Sequence, residues 1–156
     1  MNYTAEIDTI KDVSLIIPCQ NAVKQLLQLL RFIQNWAAIP NEIIIIDSSS
    51  EKFYPPEDLK LFTERLNIKL LVIYGDNLYP GHARNIGVVN ATNSTLAFLD
   101  TSTHPNERWL SSGLNLMRAN NSQGVWGSTY YQADYYMPQI IRACTFGAKP
   151  IKTFPG

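Results

Sequence analysis

Apolar positions along the chain come in two rhythms. Unbroken aliphatic runs occur at "VSLII" (13–17), "EIIII" (42–46), "IKLLVIY" (68–74) and "STLAFLD" (94–100). Runs of that length without alternation suit strands covered on both faces. Between them, apolar residues recur at helical spacing. Val23, Leu26, Leu27, Leu30, Ile33 and Ala37 predict a first helix with Asn21 as its cap. Pro18 should close the first strand, and Pro40 with Asn41 should break the chain ahead of the second. Residues 57–66 predict a short second helix, and residues 82–92 a third with Ala83, Ile86 and Ala91 inward. Pro105 is placed to start a fourth, since its missing N–H costs nothing in a first turn. Trp109, Leu110, Gly113, Leu114 and Met117 share one face of that helix. "GVWGSTYY" (124–131) predicts a fifth strand, and residues 134–146 a weak helix interrupted at Met137–Pro138.

Strands alternating with helices make βαβ units, which favour an α/β fold with a mostly parallel sheet and right-handed crossovers. Ligands of such sheets gather outside the carboxyl ends of the strands. Pro18, Asp47, Gly75 and Asp100 all fall at that edge. Two of them repeat one form: in "EIIIIDSSS" (42–50) and "FLDTST" (98–103) an apolar run stops on a lone Asp followed by hydroxyl residues. Such acids are either two lips of one site or plain strand-end caps. No GxGxxG follows the first strand and no GxxxxGK[ST] occurs anywhere, so dinucleotide and P-loop readings lose their main support.

Composition narrows the partners. The 156 residues suffice for one domain with a sizeable core, and 46% hydrophobic against 17% charged residues reads as globular. Thirteen basic and thirteen acidic side chains cancel, leaving no global field to draw in nucleic acid. Cys19 and Cys144 have neither metal spacing nor the makings of a disulfide framework. No stretch has the form of a signal peptide, and no apolar run approaches the ~18 residues of a membrane span. A cytoplasmic protein is expected, with peripheral association at the inner face of a membrane left open.

Three blocks carry a resemblance. "VSLIIPCQN", "NEIIIIDSSS" and "ARNIGVVNATNSTLAFLDTSTHPNERWL" resemble "VSVIIPxYN", "EIIVVDDGS" and "ARNxGxxxAxGxxIxFLDxDxxxxxxxL" of the family 2 glycosyltransferases, in the same order and spacing over residues 13–110. The resemblance implies the GT-A fold, a Rossmann-like three-layer sandwich, as one domain over residues 1–156. Its donor-binding part would cover about 13–129, with 130–156 opening an acceptor region that is largely missing. It also implies a nucleotide-diphospho-sugar donor and transfer with inversion to a glycan or lipid-linked acceptor, as in cell-surface polysaccharide synthesis. On that reading Pro18 to Asn21 lie along the nucleoside, Asp47 and Ser48 contact the base, Arg84 belongs to the donor pocket, and Asp100 with Ser102 stands where the family has its DxD pair.

The departures matter as much. Ser48 replaces the second acid of "DD", and Ser102 the second acid of DxD. A divalent metal, Mg²⁺ or Mn²⁺, would rest on Asp100 alone, with His104 as a substitute ligand, and should be held weakly. Beyond Trp109 the only acid is Asp134, and no "ED" motif supplies the family's catalytic base, so the catalytic residue is left unassigned. The chain reads as the donor half of such an enzyme or as a naturally short relative. The alternative function is a non-catalytic nucleotide-binding or scaffold module. Ser49 and Ser50 read as plain turn residues, His82 as a loop residue, and the tyrosines at 130, 131, 135 and 136 as sugar platforms or edge cover.

Overall fold

A computed structural model describes residues 8–128. The chain divides into two compact units, Met1–Ser112 and Gly113–Gly156, and everything that follows on the sheet and the cleft concerns the first. The elements alternate as expected: β1 (Asp8–Cys19), α1 (Val23–Ile33), β2 (Ala38–Asp47), α2 (Glu57–Arg65), β3 (Lys69–Tyr74), α3 (Pro80–Asn90), β4 (Thr95–Phe98) and α4 (Trp109–Asn120). All pairings are parallel, in the order β3-β2-β1-β4.

The two central strands explain the aliphatic runs. Leu15, Ile16 and Ile17 pair with Ile43, Ile44 and Ile45, and all six are fully buried. Ile16, Ile44 and Ile46 form one face with Ala83 of α3. Gly87 lets α3 approach so closely that a Cβ there would lie 2.4 Å from Ile16 Cγ2. Right-handed crossovers put α1 and α2 on the opposite face. There α1 contributes Leu26, Leu29, Leu30 and Ile33. This face takes in Leu29 and leaves Ala37 exposed, contrary to the expected periodicity, because the helix ends at Ile33.

Several expected boundaries move. Pro40 lies inside β2 rather than ahead of it, opposite Ile10, where the β1–β2 register shifts before Ser14 meets Glu42. An irregularity of that kind is where a strand tolerates a missing N–H. Pro18 likewise continues β1, opposite Ile46. The carbonyl of Ile16 takes the Leu99 N–H, so alternation aims the position of Pro18 beyond the end of β4, where no ladder bond is lost. Asn21 does not cap α1: it adopts a left-handed φ of 51°, which Asn tolerates, and the cap position falls to Ala22. The fourth helix starts at Trp109, not Pro105, because Asn106 turns the chain first, its side chain accepting from Arg108 N–H at 2.9 Å. Of its expected inward face only Leu110 is buried. No strand forms over residues 124–128, and the rest of the expected fifth strand, the helix over 134–146 and the four tyrosines lie outside the described residues.

At the amino-terminal edge, Glu42 is 1% exposed and ties four segments together. It accepts from Lys69 of β3 at 2.7 Å, from the Ser14 hydroxyl of β1, and from the Thr92 N–H and hydroxyl, both at 2.9 Å. Burial pushes its carboxyl up, but these donors outweigh it and hold the group at about 2.

Candidate functional site

The carboxyl edge opens into a cleft of about 300 Å³. Its walls come from four places: Pro18, Cys19 and Gln20 at the end of β1; Ser48 just after β2; Leu78, Pro80, Ala83 and Arg84 leading into and along α3; and Asp100, Thr101 and Ser102 after β4. Of the residues expected from sequence, Pro18, Ser48, Arg84, Asp100 and Ser102 meet here. Asn21, Asp47 and His104 do not line the cleft.

Asp47 is fully buried and turned onto its own loop. Its carboxylate accepts from the Ser49 N–H at 3.0 Å and the Phe53 N–H at 2.6 Å, while its carbonyl takes the Gly75 N–H at 3.0 Å. Ser49 and Ser50 do more than turn the chain. The Ser49 hydroxyl accepts the Asn21 N–H at 2.8 Å, and Asn21 Oδ1 accepts the N–H and hydroxyl of Ser50 at 3.0 and 3.1 Å. Ser48 N–H reaches the Cys19 carbonyl at 2.8 Å. The loops after β1 and β2 are thus stitched into one rim. Burial pushes the Cys19 thiol up, which disfavours the nucleophilic thiolate.

The charges of the cleft face each other. Among its described lining residues Arg84 is the single base and Asp100 the single acid, and Arg84 Nη2 meets Asp100 Oδ1 at 2.5 Å. Both are partly exposed, so the pair adds little to stability. Arg84 rides on the first turns of α3, which begins with Pro80 and carries no acid in its first turn. A helix start of that kind leaves backbone N–H groups free and favours an anion. The helix starts two residues ahead of the expected 82–92, which brings Pro80 to the cleft wall, and Ala83, expected to face inward, lines it too. Pro at the first helical position after the turn-rich "GDNLYPG" was the available signal.

Among the described residues no three His, Cys, Asp or Glu side chains come together in the manner of a metal site. Asp100 spends one oxygen on Arg84, its partner two residues on is the neutral Ser102, and the His104 ring lies against Phe32 instead of the cleft. No helix of the described residues is long and apolar enough to cross a membrane.

Comparison with known proteins agrees with the alternating strand-and-helix fold. The profile described as "Glycosyl transferase family 2" matches residues 14–137. "Glycosyltransferase AglE" of Haloferax volcanii is 25% identical over 125 residues, which is 79% of this chain and 41% of that protein. Among solved structures, S. aureus TarS in complex with UDP-GlcNAc superposes with a TM-score of 0.55 at 20% identity, over 78% of this chain and 38% of that one. The mannosyltransferase PcManGT of Pyrobaculum calidifontis, in complex with GDP-Man and Mn²⁺, gives 0.54 at 18% identity, over 68% and 32%. The fold is that of the GT-A glycosyltransferases. The chain spans about 40% of the length of AglE and of the TarS structure, and 32% of that of PcManGT.

Proposed function

Because the chain belongs to glycosyl transferase family 2, we propose that its cleft binds the nucleoside diphosphate of a sugar donor, for transfer with inversion to a glycan or lipid-linked acceptor. The observation that carries this reading is the meeting of Arg84, the α3 amino terminus and Asp100 in one cleft at the carboxyl edge. The leaving group of such a transfer is a diphosphate on which charge grows. A guanidinium and free helix-start N–H groups are placed to meet that charge. Asp100, once released from Arg84, can accept from ribose hydroxyls. Uridine and guanosine donors both deserve trial, since TarS and PcManGT were solved with UDP-GlcNAc and GDP-Man.

We further infer that a divalent ion contributes weakly. A bound metal would neutralise diphosphate charge, and Asp100 with the Ser102 hydroxyl would hold it. One shared carboxylate is a poor match for Mg²⁺ or Mn²⁺, and Arg84 already supplies a cation at the same place.

A second reading has its own support: a nucleotide-binding module without catalysis. The only acid among the described lining residues is paired with Arg84, so none stands free as a base for the acceptor hydroxyl. A positioned base is worth about 10²–10⁴-fold. This chain alone should therefore bind donor and transfer slowly or not at all. Calorimetry with UDP, GDP, dTDP and CDP tests binding, and a radiolabelled-donor assay tests turnover. Binding to none of the four by the folded protein would refute the donor reading. Turnover at the rate of a full-length relative would remove the module reading.

A further inference from the structure

The loop from Asp100 to Arg108 carries one lip of the cleft, and its ends are fastened separately. Its start hangs from β4, where Leu99 N–H donates to the Ile16 carbonyl at 3.2 Å. Its far end is held by the chain after α1: Ala37 N–H donates to the Glu107 carbonyl at 3.0 Å, and the Trp36 and Trp109 rings lie 5.7 Å apart. In between, the Thr103 N–H and hydroxyl both turn back onto the Asp100 carbonyl, at 3.0 and 2.6 Å. The middle of the loop meets α1 through a ring contact. The His104 ring meets Phe32 edge-on, centroids 5.3 Å apart and planes at 74°. Phe32 stands off the buried face of α1 and is 44% exposed, so the core does not require an aromatic ring there.

We propose that Phe32 and His104 are positioning residues for the donor site. Their ring contact holds the loop so that Thr101 and Ser102 stay against the cleft, while neither ring lines the cleft itself. This rests on the donor-binding reading for its consequence, though not for its geometry. It assigns His104 a packing role in place of the ligand role its sequence position had promised. An edge-to-face pair needs a ring, not a proton or a lone pair, so a phenyl group at 104 should serve as well.

Both side chains are exposed, so their variants should fold. His104→Ala and Phe32→Ala should each weaken UDP or GDP binding roughly three- to tenfold, the worth of such a ring pair. The double variant should be no weaker than either single one, because both remove the same contact. His104→Phe should bind as the wild type does. A second readout needs no nucleotide: the Thr103 amide should exchange its hydrogen faster in both alanine variants and not in His104→Phe. If the wild type bound neither nucleotide, the donor reading would fall while Thr103 exchange still decided the ring contact. Unchanged Thr103 exchange in both alanine variants overturns the proposal. So does a His104→Phe protein that binds as poorly as His104→Ala, since the imidazole nitrogens would then be the working groups.

Discussion

Replacing Glu42 by Gln removes the charge that holds the amino-terminal edge together. The carboxylate is 1% exposed and faces only donors: Lys69 at 2.7 Å, the Ser14 hydroxyl, and Thr92 twice at 2.9 Å. The fall of its pKa from 4.5 to about 2 corresponds to about 3 kcal/mol contributed by the ionised form. A carboxyl whose folded pKa is depressed gives its stability above the unfolded value and loses it as pH falls through the folded one. The contribution should therefore be full at pH 7, and decline from about pH 4.5 to about pH 2. Gln keeps the shape but turns an NH₂ toward a ring of donors, so Glu42→Gln should lose about 2–4 kcal/mol at pH 7. Urea unfolding of both proteins at pH 7 and near pH 2.5 measures the difference. It should shrink to about 1 kcal/mol at the lower pH, because the other carboxylates titrate alike in both proteins. A loss as large at pH 2.5 as at pH 7 would refute the electrostatic account and leave only shape. The site depends on this edge indirectly. Glu42 fixes β1, β2, β3 and the turn into β4 relative to one another, and the same strands present Pro18, Ser48 and Asp100 at their other ends.

Gly87→Ala should destabilise by about 1–3 kcal/mol in thermal or urea unfolding, since the new Cβ would sit 2.4 Å from Ile16 Cγ2 and 3.0 Å from Ile46 Cδ1; unchanged stability would show that α3 is free to shift. Asp47→Ala should lower stability by about 2–4 kcal/mol by stranding the Ser49 and Phe53 N–H groups, and a fully stable variant that merely loses nucleotide would make Asp47 a ligand contact instead. Asp100→Ala should weaken nucleotide binding more than Asp134→Ala, and equal losses by calorimetry would take Asp100 out of the site. Nucleotide affinity should change little between Mn²⁺ and chelator in the wild type and more in Ser102→Asp; tight wild-type binding only with metal would contradict the weak site inferred at Asp100.

The strands were legible because an unbroken run such as "EIIII" has few homes other than a doubly covered strand, and the parallel order followed from the helices between them. The strand-end acids were legible as positions. Their directions were not: Asp100 reaches into the cleft toward Arg84, while Asp47 turns back onto two N–H groups of its own loop. A short acid reads the same in either case until the path of the next residues is known. Glu42 was hidden in the apolar run it begins, because its four donors come from residues as far as 50 positions away. Asn21 looked like a helix cap by type, yet the neighbouring serine loop claimed its side chain. Pro40 looked like a breaker, but a local register shift in β1 accommodates it.

We propose above all that the cleft between the ends of β1 and β4 and the start of α3 receives a nucleoside diphosphate. Titrating UDP or GDP into the ¹⁵N-labelled protein and following its amide resonances tests this directly. Resonances of Gln20, Ser48, Ala83, Arg84, Thr101 and Ser102 should move together along one saturation curve, while those of Thr92 and Lys69 at the opposite edge stay still. Saturable shifts confined to residues outside this set, or none from either nucleotide, would contradict it.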